Sequence, residues 1–365
     1  MNVLSGELRQ DLDGLIDWAV RLGGSDLLIT HGSSPMVRLT GELYPIEQYP
    51  PYPDDELARL IGSLLSPQDA QVLATERQVD FSFGWRNQAR VRGNAFVQRG
   101  HPAVALRIIP DRIPTLDEIG VPPQVRDLMN LPQGLILFTG PTGSGKSTTQ
   151  AAMIDYVNHQ RAVHVLTLED PIEYVHPHGR GLVNQREVGT DCLSFAHGLR
   201  AALREDPDVL LVGEMRDPDS IGITLTIAET GHLVLSTLHT NDTASAVDRI
   251  VDVFPADRQD QVRVQLAGSL VAVVAQRLVP RVGGGMVAAW EVLLANHAVR
   301  NLIREGKTRQ IRNVLTLSQP EGMFTLEQSL SSLVAHGIVS HADAVSRSMI
   351  PGEVDAPPAT VGNGR

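Results

Sequence analysis

One eight-residue stretch constrains this chain more than any other. Residues 140–147 read G-P-T-G-S-G-K-S, a complete G-x-x-x-x-G-K-[ST] pattern, and the apolar run Leu135, Ile136, Leu137, Phe138 stands directly before it. That run is the strand a phosphate-binding loop needs upstream, and the small and polar chain after Lys146 can open a helix. Backbone N–H groups of such a loop wrap the phosphates of a nucleotide, helped by the positive end of the following helix. Gly140, Pro141, Thr142, Gly143, Ser144, Gly145, Lys146, Ser147 and Thr148 are therefore expected to bind nucleotide. Lys146 would reach the β- and γ-phosphates as a compact cation. The Ser147 hydroxyl would complete a Mg²⁺ shell made otherwise of water and phosphate oxygen. Composition alone yields the bare pattern in about one chain in a hundred of this length. The alternative is a glycine-rich turn that binds nothing, and the strand before the loop argues against it.

A chain of 365 residues has room for two domains, each with its own core. The 31 basic and 42 acidic residues give a net charge of −11, which argues against nucleic-acid binding through the whole surface but leaves room for a local basic stripe. With Cys192 as its one cysteine, the chain can form no internal disulfide and no cysteine-only zinc site, which suits a reducing cytosol. Acidic Glu7, Asp11 and Asp13 stand where a signal peptide carries a basic segment, so none is expected. The most apolar stretch, residues 270–275, is far shorter than the roughly 20 residues that span a bilayer. Membrane association would go through a partner.

Leu8, Leu12, Leu15, Ile16 and Ala19 recur at helical spacing, and Gly23 with Gly24 closes that helix as a C-cap would. Short strands are predicted over 26–30, 36–39 and 42–46, with a turn at Thr40 and Gly41. A helix follows over 54–65, then strands over 80–83, 89–96 and 103–109. Residues 1–110 thus read as an α+β domain. Pro110, Pro114, Pro122 and Pro123 punctuate a linker over 111–123. From 124 to 350 apolar runs at 135–138, 163–168, 209–212 and 233–238 alternate with helix-length segments, the signature of a parallel sheet covered on both faces. Beyond Phe254 the apolar positions Val262, Leu266, Leu270 and Val273 predict helix. Residues 351–365, with little to bury, are expected to form a disordered tail.

Hydrolysis needs a carboxylate that orients or activates water. Aliphatic residues 209–212 end in Gly213 and Glu214, which places Glu214 at the C-terminal end of a strand, where ligands of open α/β sheets sit. Glu214 is the candidate water-positioning group; the alternative is a surface carboxylate paired with Arg216. Many phosphate-loop proteins hold Mg²⁺ with an aspartate where Gly213 stands, so another acid must serve. Glu169 or Asp170 offers it after the second core strand. The same segment also reads as a plain helix start, with Asp170 as N-cap, Pro171 next and Glu173 three residues on. His232 and His239, seven apart, would leave one strand on opposite faces, which speaks against a shared metal site. His239 could contact phosphate; a buried or capping role is the alternative for either histidine. In the first domain Arg90 and Arg92 share a strand face with Arg107 on the adjoining strand. That cluster is either a solvated face or a source of arginine fingers.

Taken together, these motifs make the sequence resemble a type IV pilus retraction ATPase of the PilT family, within the secretion ATPase superfamily. The resemblance runs from Gly24 to about Ile350. It rests on the phosphate loop, an acidic box over 168–176, a Walker B region over 204–217, a histidine box over 230–240, and a match to the C-terminal retraction motif over 298–305 with Val299 where isoleucine is usual. It implies a PAS-like α+β domain followed by a RecA-like α/β ATPase domain, assembled as a homo-hexamer that consumes ATP with Mg²⁺. It further implies that Glu214 is the catalytic glutamate, that His232 and His239 form the histidine box, that Glu169, Asp170 and Glu173 form the acidic box, and that Arg92 and Arg107 are brought toward nucleotide. Assembly and secretion motors carry a longer N-terminal region and a four-cysteine zinc insertion; one cysteine and a short first domain favour retraction, without zinc. The implied place of work is the cytoplasmic face of the inner membrane, on a pilus platform protein. Pilus extension or type II secretion, and a non-hydrolysing regulatory subunit, are the competing readings. A DNA-translocating enzyme is a third, against which the acidic balance and missing aromatic-basic interleaving speak. Trp290 and Arg309 depart from the pattern, where histidine is expected.

Overall fold

The computed structural model describes residues 6–39, 42–85, 89–110 and 112–356; the predicted turn at Thr40 and Gly41 lies outside them. The chain divides between Arg112 and Ile113 into two compact units, and Glu173–Val175 group with the first.

The first unit runs α1 (Gly6–Arg21), β1 (Asp26–Thr30), β2 (Met36–Leu39), β3 (Glu42–Pro45), α2 (Asp54–Leu64), α3 (Pro67–Glu76), β4 (Gln78–Trp85), β5 (Ala89–Gln98) and β6 (His101–Pro110). Its six strands form an antiparallel sheet in the order β3-β2-β1-β6-β5-β4. Leu12, Leu15, Ile16 and Ala19 of α1 and Leu57, Leu60 and Ile61 of α2 bury against Leu27, Ile29, Val91, Val104 and Leu106. The period-3.6 and period-2 patterns thus meet in one core, which makes this the smaller α+β domain. Helix α3 was not anticipated: it buries no residue and is held by the Ser66 and Asp69 capping box instead.

The second unit runs α4 (Leu116–Ile119), α5 (Pro123–Asp127), β7 (Gly134–Thr139), α6 (Lys146–Gln160), β8 (His164–Glu169), β9 (Leu182–Glu187), α7 (Phe195–Ala202), β10 (Val209–Val212), α8 (Pro218–Glu229), β11 (Leu233–Leu238), α9 (Thr243–Asp252), α10 (Ala256–Ser269), β12 (Leu270–Pro280), β13 (Met286–Leu294), α11 (His297–Arg304), α12 (Ile311–Leu317), α13 (Leu326–Ala335) and α14 (His341–Arg347). Its seven-stranded sheet has the order β13-β12-β7-β11-β10-β8-β9 and is parallel except for β13. Successive residues of β7 feed two cores: Leu135 and Leu137 pack with α8 and α10, Ile136 and Phe138 with α6. A strand buried on both faces reads as a continuous apolar run for this reason.

Four expectations change. The helical spacing through Leu270 and Val273 does not continue as helix: α10 stops at Ser269, and 270–280 pairs with β7 and β13, because the β-branched-rich run finds two strand partners. Residues 113–123, read as a linker, pack into the second unit: Thr115 and Glu118 form a capping box on α4, and Leu116 is buried. No helix starts at Pro171. Residues 351–356, read as tail, contain a 3₁₀ turn at Pro351–Glu353, bury Val354 and anchor Glu353 to Arg312 at 2.6 Å; 357–365 lie outside the described residues.

Two buried carboxylates organise the C-terminal part. Glu291 on β13 accepts hydrogen bonds from the Thr243 backbone N and Oγ1 at 2.9 and 2.8 Å and from Leu326 N at 3.4 Å, so it serves the first residues of both α9 and α13. Burial raises its pKa against those bonds. Glu327 accepts from Arg312, Ser348 Oγ and the N–H groups of Met349 and Ile350.

Candidate functional site

Four parallel strands end on one edge of the second unit's sheet. The register pairs Thr139 with Leu238, Val212 with Ser236, and Val212 with Leu168. The residues that follow, namely Gly140, His239, Gly213 with Glu214, and Glu169 with Asp170, are thereby set along one edge, where open α/β sheets bind ligands. Thr139 Oγ1 bonds both the carbonyl and the hydroxyl of Thr240 at 2.6 Å, and Thr237 Oγ1 donates to Gly213 O at 2.5 Å, so neighbouring strand ends are stitched together.

The loop between β7 and α6 has the backbone its glycines permit. Gly140, Gly143 and Gly145 have φ of 144°, 76° and 90°. A Cβ on Gly140 would stand 2.4 Å from the Gln276 carbonyl oxygen, and one on Gly145 would stand 2.8 Å from Gln276 Nε2. Pro141, Thr142 and Gly143 form the exposed crest, while Ser144 and Lys146 are buried and Gly145, Ser147 and Thr148 are half-buried. Lys146 Nζ donates to the carbonyls of Gly140 and Pro141 at 2.7 and 3.2 Å, which holds the cation inside the loop. The buried Ser144 Oγ has no hydrogen-bond partner among the described residues. A cradle too tight for side chains, an orphan hydroxyl and a retained ammonium fit a phosphate chain. Ser147, Glu169 and Asp170 are hard oxygen donors of the kind Mg²⁺ takes.

Gln276 was not singled out in the sequence. It is buried on β12, where Ala275 pairs with Thr139, and its Oε1 accepts from the buried Thr149 Oγ1 at 2.9 Å. The loop therefore rests on a polar side chain that also grips the helix after it. The available signal was one amide inside an apolar run.

Glu214 shares its two oxygens: Oε2 lies 2.8 Å from Arg216 Nη2 and Oε1 lies 3.3 Å from His239 Nε2. Burial pushes its pKa up, but the hydrogen bonds and charges of Arg216 and His239 outweigh burial and hold it below the ordinary glutamate value. The pairing with Arg216 read as the alternative is thus present, with the Arg216 side chain 67% exposed. Gly213 is crowded: a Cβ there would sit 3.3 Å from the Leu168 carbonyl oxygen and 3.4 Å from Glu169 Cα, so an aspartate would press on the neighbouring strand.

The acidic box divides. Glu169 is buried and accepts from Thr167 Oγ1 at 2.6 Å and Gln185 Nε2 at 3.1 Å. Asp170 is exposed, and its charge raises the Arg216 pKa after the larger effect of Glu214. Glu173, grouped with the first unit, has Oε1 3.4 Å from Arg92 Nη1. In that unit Arg92 and Arg107 are direct cross-strand partners, and Arg107 Nε donates to Asp26 Oδ1 at 2.9 Å. His176, which ends the box, is buried with Nδ1 unbonded among the described residues, and burial pushes its pKa down to about 4.

His232 is not brought to the phosphate loop of its own chain. It precedes β11, beside Gly134, with Nδ1 3.2 Å from Ile227 O. Six strand residues at about 3.3 Å each put roughly 20 Å between it and the edge where His239 sits. In α11, Val299 and Ile303 are core residues, and Arg300 donates to the carbonyls of Ala267, Gly268 and Ala295. Trp290 is a core residue and Arg309 an exposed one. No helix among the described residues is long and apolar enough to cross a membrane.

Comparison with known proteins agrees with this geometry. Residues 67–289 match the family model described as type II/IV secretion system protein. The type IV pilus retraction ATPase PilT of Pseudomonas aeruginosa is 44% identical over 93% of this chain and 99% of its own. A twitching motility protein of Neisseria gonorrhoeae is 47% identical over 91% of this chain and 86% of its own. A crystal structure of the pilus retraction motor PilT with bound ADP superposes with a TM-score of 0.87 at 47% identity, covering 93% of this chain and 98% of that one.

Proposed function

The chain belongs to the type II/IV secretion system protein family, among its PilT-like members, and on that premise we infer that it is an ATP-hydrolysing motor that powers type IV pilus retraction and with it twitching motility. One observation carries the catalytic part: a phosphate loop, Glu214 and His239 gathered on a single sheet edge.

Residues 140–148 bind the nucleotide, and Lys146 exchanges its loop carbonyls for phosphate oxygens. Mg²⁺, held by Ser147 with Glu169 or Asp170 acting through water, would neutralise phosphate charge. Glu214 stays ionised at neutral pH, so an oxygen of its carboxylate can accept a hydrogen bond from the attacking water and orient it. His239 holds the other side of that carboxylate. Arg92 and Arg107 supply positive charge to the transferred phosphoryl group, as guanidinium groups do for oxyanions. Family likeness supports a homo-hexamer acting on an inner-membrane platform protein from the cytoplasmic face.

The test is genetic and enzymatic together. Deleting the gene should leave cells with surface pili that accumulate and do not retract, and the purified protein should release phosphate from ATP with Mg²⁺. Loss of pili on deletion would point to an extension motor instead; binding without hydrolysis would point to a regulatory subunit.

A further inference from the structure

Away from the phosphate edge, the first unit brings three metal-ligating side chains to one point. His31 Nδ1 lies 2.6 Å from Asp54 Oδ1, and His101 Nδ1 lies 2.5 Å from Asp54 Oδ2, so two imidazoles turn the same ring nitrogen to the two oxygens of one carboxylate. The rings are stacked, with centroids 3.8 Å apart and planes 10° from parallel. Ligand atoms of all three residues lie within 4.8 Å of one another, the one such group of three among the described residues.

The fold fixes this meeting. Strands β1 and β6 are antiparallel with Thr30 opposite Ala103, so His31, just past β1, and His101, opening β6, share one end of the sheet. Asp54 opens α2, which Leu57, Leu60 and Ile61 bury in the same core.

We propose that His31, Asp54 and His101 form a binding site for a divalent first-row transition ion, with Zn²⁺ as its probe. Two imidazole nitrogens and a carboxylate oxygen form a borderline donor set that suits Zn²⁺ and its neighbours better than Mg²⁺ or Ca²⁺. Zinc commonly takes three protein ligands and a water in a tetrahedron with bonds of about 2.0–2.2 Å. That geometry separates ligand atoms by about 3.3 Å, so each nitrogen–oxygen pair must open by less than about 1 Å and the two stacked rings must tilt apart until both Nδ1 lone pairs point at one ion. Side chains exposed by 46%, 42% and 38% can make that adjustment and leave the fourth position to water. To ligate the ion, each imidazole must offer the lone pair of its Nδ1, with the ring proton carried on Nε2. The set contains no thiolate, so a single buried cysteine elsewhere does not bear on it.

Isothermal titration of the full chain with ZnCl₂, with Mg²⁺ in excess to occupy hard-oxygen sites, tests the proposal on wild type, His31→Ala, His101→Ala and the surface control His336→Ala. One Zn²⁺ per chain is expected in wild type and the control, with affinity falling about tenfold or more in the other two. Circular dichroism establishes that the variants keep the wild-type fold. Zinc should also raise the melting temperature of wild type but not of the near-isosteric Asp54→Asn. Equal binding by all variants, or a melting temperature indifferent to zinc, would show a hydrogen-bonded clamp and overturn the site.

Discussion

Thr149 Oγ1 donates to Gln276 Oε1 at 2.9 Å, and through that bond the strand beside the phosphate loop grips the helix that follows it. Gln276→Leu would strand a buried hydroxyl and lower stability by about 1–3 kcal/mol. It would also remove the amide that lies against Gly145, so ADP affinity should fall several-fold. Thermal unfolding and ADP titration check both effects; wild-type ADP binding would refute the supporting role.

Binding and chemistry separate at two other residues. Glu214→Ala should bind ATP nearly as wild type does and turn over about 10²–10⁴ times more slowly. Lys146→Ala should lose affinity and turnover together. Equilibrium binding of a fluorescent ATP analogue and steady-state phosphate release distinguish the two, and hydrolysis at the wild-type rate by Glu214→Ala would remove its assigned part.

Acid sensitivity should come in part from His176. Its folded pKa is about 4, whereas the unfolded imidazole titrates near 6.5. Between those values the unfolded chain binds a proton that the folded chain does not, so stability increases with pH there. The contribution is complete above about pH 6.5 and about 3 kcal/mol of it is lost on acidification to about 4, at 1.36 kcal/mol per pKa unit. His176→Leu should therefore flatten the urea midpoint between pH 6.5 and 4. Parallel profiles for the two proteins would contradict this.

Packing and partner contact can be told apart on α11. Arg300→Ala would leave carbonyls of the last turn of α10 without their cation, costing about 1–3 kcal/mol, and any loss of retraction should accompany a lower melting temperature. Arg304 is exposed and, among the described residues, bonds within its own helix to Asn301, so Arg304→Ala should leave melting unchanged. A retraction defect there at wild-type stability would mark a docking surface.

What could be read from the sequence was local. The 134–160 strand, loop and helix carry their own apolar run and glycine pattern, and Glu214 follows an aliphatic run that ends at the productive edge. Strand β9 escaped notice because, at the sheet's outer edge, it buries only Val183 and Glu187 of its six residues. Strand β12 did so because helical spacing persists by coincidence from Val262 to Val273 while pairing with β7 and β13 decides the outcome. Gln276 belongs to no motif, and its importance arises only when residues 127 apart in the chain meet. For His232, the sequence already sets the two histidines at either end of the 233–238 run, and the fold adds that the phosphate loop lies at the end carrying His239.

Glu291 ties the start of α9 to the start of α13 within the second unit. Thr243 lies four residues past His239, and Glu291 fastens it to the same carboxylate that receives Leu326 at the head of α13. A displacement of residues 240–243 must therefore carry β13 and the C-terminal helices along, or else strip a buried carboxylate of its donors at a penalty of about 1–3 kcal/mol or more. Any strain arising beside the histidine would therefore reach the head of α13 through a strut one side chain long.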